Sequence, residues 1–368
     1  MRTYKIVSFS VIILLVTVLF AGVVTIPAAA QYDTMQFRYN ASHTGDYSPV
    51  AGSNTSNSNL TWSFTTGHYV FSSPTVVNGT VYVGSDDNNV YALNATTGAK
   101  LWNYTTGGYV GSSPAVANGV VYVGSYDNNT YALNATTGTK LWNNATRGAV
   151  ESSPAVANGV VYVGSYDSYV YALNATTGTK LWNYATGDSV LSSPAVSNGV
   201  VYVGSNDNNT YALNAATGAK LWNYTTGGVV ASSPTVVNGT VYVGSDDHSV
   251  YALNATTGAQ LWNYTTGSRV DSSPAVVNGT VYVGSDDNNV YALNAATGAK
   301  LWNYATGSAV FSCPAVSNLV VYVGSNDGNL YAIGTAAVAT SQGATPGFEV
   351  VLAFVGLVIA AYAVRRRR

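Results

Sequence analysis

Charge is the scarcest property of this sequence. Only 8% of its 368 residues are Asp, Glu, Lys or Arg, about a third of the share in an ordinary soluble domain. A single cysteine, Cys313, excludes a disulfide framework and any cysteine-rich zinc or iron–sulfur centre. Three histidines and two glutamates leave little material for general acid–base chemistry. A formal net charge of −2 argues against a nucleic-acid partner. What the chain has instead is apolar and β-forming residues, 47% hydrophobic with 29 tyrosines. Disorder is therefore not expected.

The two ends are addresses. Arg2 and Lys5 precede an apolar run from Ile6 to Ile26, closed by Ala28-Ala29-Ala30. This is the pattern of a secretory signal over 1–30, cut after Ala30, or of an uncleaved anchor. At the other end Pro346-Gly347-Phe348-Glu349 leads into fifteen apolar or small residues, Val350 to Val364, and then Arg365 to Arg368. The apolar segment is shorter than the roughly 20 residues that span a bilayer comfortably. It resembles the archaeal PGF-type C-terminal sorting signal, which implies cleavage near the motif and attachment to a membrane lipid. A plain tail anchor is the alternative. Both readings put 31–345 outside the cell, where eight cations face fifteen acids, a net charge near −7.

The middle of the chain is a repeat with a period of 40. Trp62, Trp102, Trp142, Trp182, Trp222, Trp262 and Trp302 mark it. Ser-Ser-Pro, Val-Tyr-Val-Gly-Ser and Tyr-Ala-Leu-Asn recur at the same interval, and the seventh Ser-Ser-Pro reads Ser312-Cys313-Pro314. Within one unit four short strands are expected: A (Val70 to Val77), B (Thr80 to Ser85), C (Val90 to Asn94) and D (Lys100 to Thr105). Turn residues such as Asn78-Gly79 separate them. Four strands per 40 residues is the arithmetic of a β-propeller blade. An orphan D-type strand, Leu60 to Thr66, precedes the first A strand, and no Trp follows the last C strand. The all-β fold expected is a seven-bladed propeller over 60–336, closed when the N-terminal strand completes the last blade. A lead-in over 31–59 precedes it, and a linker over 337–345 follows.

Ala92-Leu93-Asn94-Ala95-Thr96-Thr97-Gly98-Ala99-Lys100-Leu101-Trp102 resembles the tryptophan-docking motif of quinoprotein-type, pyrroloquinoline-quinone-like propellers. The resemblance implies that each Trp packs on the neighbouring blade and locks the ring. Asn94 and its equivalents stand where the family has Asp, which bears on the turn hydrogen bonds. Phe37-Arg38 and His43-Thr44-Gly45 are similar to the segment that often precedes such repeats. Many members have eight blades; the count here is seven. For the quinone-dependent dehydrogenases of this family, the resemblance implies a vicinal cysteine pair, a Trp and a Ca²⁺ held by Glu, Asn and Asp. Cys313 is alone and Glu151 is the only Glu in the repeats, so no quinone, Ca²⁺ or catalytic residue is expected. The Asp of each B–C turn, Asp87 to Asp327, reads as a turn former. Cys313 reads as a small buried residue.

The informative positions are those where near-identical repeats disagree. A–B and C–D loops barely change, whereas the D–A loops and the first A residues vary freely, and B–C turns vary next. In a propeller those two sets share one rim. Its candidate binding residues are His68, Tyr69, Phe71, Tyr109, Glu151, Asp188, Arg269, Asp271 and Phe311. Unconstrained loop drift explains the same pattern equally well. Sixteen Asn-x-Ser/Thr acceptors occur outside the signal, among them Asn78, Asn94, Asn103, Asn134, Asn174, Asn238, Asn254, Asn263 and Asn278. Most fall on the A–B and C–D loops or the D strands, so glycans would cover the constant side. The function expected is non-catalytic recognition of an envelope protein or a glycan by a membrane-anchored surface protein. A purely structural envelope component and an enzyme built on Glu151, Arg269 and Asp271 are the alternatives.

Overall fold

The computed structural model describes residues 34–35, 60–317 and 320–334. The signal segment, the Pro346-Gly347-Phe348 motif, and His43 with its neighbours lie outside those residues. The described chain is all-β, built from consecutive antiparallel sheets of a β-propeller. In the first blade strand A is Thr75–Val77, B is Thr80–Gly84, C is Asn89–Asn94 and D is Lys100–Thr105. Each strand bonds the next in sequence, and this pattern recurs in five further blades. The last blade holds Ala315–Ser317, Val320–Gly324 and Leu330–Ile333. Thr34–Met35 adds a short antiparallel strand to the free edge of strand A in the second blade.

Local chemistry sets these boundaries. Asn78 and Gly79 both adopt positive φ, 48° and 75°, and form the tight turn that reverses A into B. At the C–D turn Asn94 Oδ1 accepts the amides of Thr96 and Thr97 at 3.0 and 2.9 Å, so Asn caps this turn in place of Asp. Strand A is shorter than the sequence suggests. Pro74 has no amide to give, and Ser72 Oγ, not a strand carbonyl, accepts the amide of Gly84 at 3.1 Å. The same stretch reaches sideways: Ser73 N donates to Ser113 Oγ at 2.9 Å, and Ser113 N to Ser153 Oγ at 3.0 Å. The inner segment thus stitches blades together and does not extend the sheet.

The apolar core lies between blades. Tyr82, Val90, Ala92 and Trp102 of the first blade pack against Val110, Val116, Tyr131 and Leu133 of the second. Trp102 donates its indole N–H to Ala135 O at 2.9 Å. Its ring covers Gly138, where an added Cβ would meet the indole at 2.6 Å. Trp62, Trp142, Trp182, Trp222 and Trp262 repeat this bond, each onto the equivalent Ala carbonyl of the blade that follows it. These contacts match the blade-docking role that the resemblance implies.

The two ends of the array differ from its middle. Elsewhere the Gly of Val-Tyr-Val-Gly lies under the next blade's Val, as Gly84 does under Val110. Gly324 has only Ser312 of its own blade nearby, and Val70 is 48% exposed where Val110 is fully buried. Tyr322 is likewise 40% exposed. Cys313 is half-buried for the same reason, whereas Ser113, Ser153 and Ser193 at its position are buried. Leu60 to Thr66 is not a paired strand, and Leu330–Ile333 bonds only strand B among the described residues. Trp62 nevertheless docks on Ala95 of the first blade as an outer-strand Trp should, and Phe64 meets Tyr91 edge-on at 5.3 Å.

Candidate functional site

Hydrogen bonds between turns show which loops share an end. Ala95 N donates to Gly79 O at 2.8 Å, joining the C–D and A–B turns. At the opposite end Asp86 N donates to Tyr69 O at 2.9 Å and Gly67 N to Asp87 Oδ2 at 2.7 Å, joining the B–C turn to the D–A loop. The variable positions therefore do collect at one end.

The turn carboxylates are taken up by the fold. Asp127 accepts the amides of Gly107 and Asn129 at 2.7 and 3.0 Å and the phenol of Tyr131 at 2.7 Å. Burial pushes its pKa up, but those bonds together outweigh burial and hold it below the usual carboxylate range. Tyr91, burdened by burial and by Asp87, is pushed up to about 12 and stays a phenol. The same links recur around Asp87, Asp207 and Asp287.

Against this uniform frame the variable residues form two clusters. Across the second and third blades Tyr126 and Tyr166 donate their phenols to one oxygen of Glu151, at 2.7 and 2.5 Å. Tyr109 stands 6.1 Å from Tyr126, and Tyr126 stands 6.0 Å from Tyr166, with the rings tilted. All three tyrosines are exposed. Gly111 leaves room beside them, since nothing lies nearer than 3.8 Å to an added Cβ. Although the residue as a whole is exposed, partial desolvation of the Tyr126 phenol, reinforced by the bonds to Tyr166 and Glu151, raises its pKa.

The second cluster lies on the fifth and sixth blades. Arg269 grips Asp286 through Nη2 at 2.9 Å and Nε at 3.1 Å. Asp271 is half-buried beside Asp246 and Asp286. Burial first, then the hydrogen bond and charge of Asp246 and the charge of Asp286, raise the Asp271 pKa to about 7 against the opposing pull of Arg269.

The remaining predicted residues join neither cluster. His68 lies 3.9 Å from Asp86 and stacks edge-on with Tyr69, which meets Phe71 at 5.9 Å. Asp188 caps its own loop by accepting Ser189 N at 2.6 Å. Phe311 is exposed. Asp246 and Asp286 are the residues that loop reasoning passed over, while Tyr126 and Tyr166 are variable B–C turn residues that it left out of the candidate binding set. They share the first position of the B–C turn, whose variation among repeats was the available signal.

Among the described residues the constant end carries clefts between blades, such as one of about 240 Å³ lined by Asn78, Tyr82, Val116 and Asn118. Among the acceptor asparagines, Asn78, Asn103, Asn238, Asn263 and Asn278 are exposed, whereas Asn94, Asn134, Asn174 and Asn254 are half-buried in their turns. Asn103 Nδ2 bonds Asn89 Oδ1 at 3.0 Å.

Residues 137–345, more than half of the chain, match the family described as the β-propeller of the beta-alanine-activating enzyme. The chain belongs to this propeller family. Residues 41–109 match a repeat family described as outer membrane protein assembly factor BamB, and 345–367 match the PGF-CTERM motif. Among solved structures, BamB from Moraxella catarrhalis is similar at 20% identity and a TM-score of 0.65, over 72% of this chain and 85% of that one. The computationally designed Ika8 protein is similar at 19% identity and a TM-score of 0.66, over 72% and 83%. No curated protein matches the chain. At these identities the structural likeness concerns the fold. The sorting motif marks an exported cell-surface protein anchored at its C-terminus.

Proposed function

We propose that this protein is a non-catalytic recognition module of a cell envelope, binding an envelope protein or glycan at the end formed by its D–A loops and B–C turns. The observation that carries this reading is convergence. Substitutions that break a near-perfect repeat meet in three dimensions as the Tyr126–Glu151–Tyr166 and Arg269–Asp286–Asp271 groups. Drift in unconstrained loops would scatter changes without pairing them across blades. The reading includes a ring of seven blades in which Leu60 to Thr66 supplies the missing outer strand of the last. The docking of Trp62 on the first blade supports that closure.

Neither a quinone nor Ca²⁺ has a part in this function. The lone Cys313 and the commitment of each turn Asp to its own loop support that view. The test is capture of envelope fractions by the anchored protein and by Tyr109→Ala, Tyr126→Ala and Arg269→Ala variants. Loss of a specific partner from the variants, with their thermal unfolding unchanged, is the expected result. Equal capture by all four proteins would refute the site. An absorption change on adding quinone and Ca²⁺ would refute the non-catalytic reading.

A further inference from the structure

Charge is sparse in this protein, but it is sorted. Five lysines, Lys100, Lys140, Lys180, Lys220 and Lys300, each open a D strand directly after the C–D turn, and all five are exposed. No Asp or Glu lies at that end among the described residues. Every described carboxylate lies at the other end: the Asp of each B–C turn, together with Asp86, Glu151, Asp188, Asp246, Asp271 and Asp286. Arg147 and Arg269 are the only cations there among the described residues. The disc is therefore basic on one side and acidic on the other.

The chain leaves the propeller on the basic side. Its last described strand, Leu330–Ile333, is a C strand. It starts beside the B–C turn, where Gly324 pairs with Leu330, and ends where Val321 pairs with Ile333, toward the C–D end. Residues 334–344 separate that point from the sorting motif. Eleven residues reach at most about 40 Å when extended, so the anchor holds the lysine end near the surface it enters. Basic groups are attracted to anionic lipid within about a Debye length, roughly 10 Å at 0.1 M salt. Carboxylates are repelled over the same range.

We propose that the propeller stands on the membrane with its five-lysine end facing anionic lipid headgroups and its acidic, tyrosine-bearing end facing outward. The orientation rests on the C-terminal anchor, and it presents the proposed recognition end to the outside. The lysines act as a ring of separate point charges, so the contact is electrostatic, reversible and salt-sensitive.

The test uses the full chain reconstituted into vesicles of phosphatidylcholine alone or mixed with phosphatidylglycerol. Flotation scores anchoring, and a membrane-impermeant amine reagent read by mass spectrometry scores each lysine. On the anionic vesicles at low salt, labelling of all five lysines should slow by roughly threefold or more and recover at high salt. Modification of Arg147 and Arg269 by phenylglyoxal should be equal on both vesicles. Failure to float would overturn both the anchor and the orientation. Flotation with lysine labelling unchanged by lipid charge would overturn the orientation alone. Slowed modification of the two arginines would place the acidic end at the membrane and also overturn it. Protection independent of lipid charge in protein glycosylated at Asn78 or Asn94 would do the same, because sugar and not lipid would then cover the lysines.

Discussion

At the residue scale, stability in this fold depends on a few side chains that each join two blades. Trp142 is buried and gives its indole N–H to Ala175 O at 2.9 Å. Trp142→Ala should cost about 3–5 kcal/mol, the range for emptying a large aromatic site, read from urea midpoints at unchanged slope. Gly138 has φ +70° with the Trp102 ring where a Cβ would go. Gly138→Ala adds backbone strain to a steric clash and should cost about 1–3 kcal/mol. Asp271 makes a prediction about pH. Its folded pKa is raised to about 7 from a reference of 3.8, so the folded state holds this proton more tightly than the unfolded one. The contribution is fully present below about pH 4 and is lost as pH rises toward 7. The turn carboxylates Asp127, Asp207 and Asp287 have lowered pKa values, so their contribution is present above about pH 4 and lost in acid. Asp271→Asn should flatten the stability profile between about pH 4 and 7 and leave the acid limb in place. An unchanged profile between those values would show that Asp271 titrates normally.

At the scale of the element, the inner strand does less pairing than its sequence suggests and more bridging. Its Ser-Ser-Pro stretch takes no part in the ladder beyond the hydroxyl bonds. The second serine passes a hydrogen bond from blade to blade, from Ser73 to Ser113 to Ser153 to Ser193. Ser153→Ala would leave the buried amide of Ser113 without its acceptor. Such an orphan costs about 1–3 kcal/mol, and the loss should appear as a lower urea midpoint. Substituting Thr, which keeps the hydroxyl, should restore part of it. Local grammar made the strands and turns legible in advance, since Asn-Gly, Asp and Gly each act within a few residues. The shortened A strand was not legible in that way, because the bonds that replace its ladder come from the neighbouring blade.

At the scale of the whole molecule, the seam between the first and last blades is where the fold is least complete. Val70, Val76 and Tyr322 are exposed there, whereas their counterparts elsewhere are buried or, at Tyr282, half-buried. Closure by Leu60 to Thr66 would bury them and cap the free edge of Leu330–Ile333, as propellers generally require. Amide hydrogen exchange separates the two states. In a closed ring, Leu330–Ile333 should exchange as slowly as Asn289–Asn294, the C strand of the preceding blade. Fast exchange confined to the last blade would show the ring open.

The sequence by itself determined the blade, the number of repeats, the docking tryptophans and the exported, anchored address. Each of these depends on a pattern read along the chain, and a period of 40 sets the same local forces to work seven times. The tertiary structure alone decided which departures from that pattern meet. Glu151 lies 25 residues from Tyr126 and 15 from Tyr166, and only the packing of adjacent blades makes one carboxylate the acceptor for both phenols. The gathering of Asp246, Asp271 and Asp286 around Arg269 arises in the same way. So does the sorting of a few charges to opposite ends, because alternate turns of an antiparallel blade face opposite ways. In the linear sequence a Lys and an Asp lie within about a dozen residues; in the fold a sheet's length separates them.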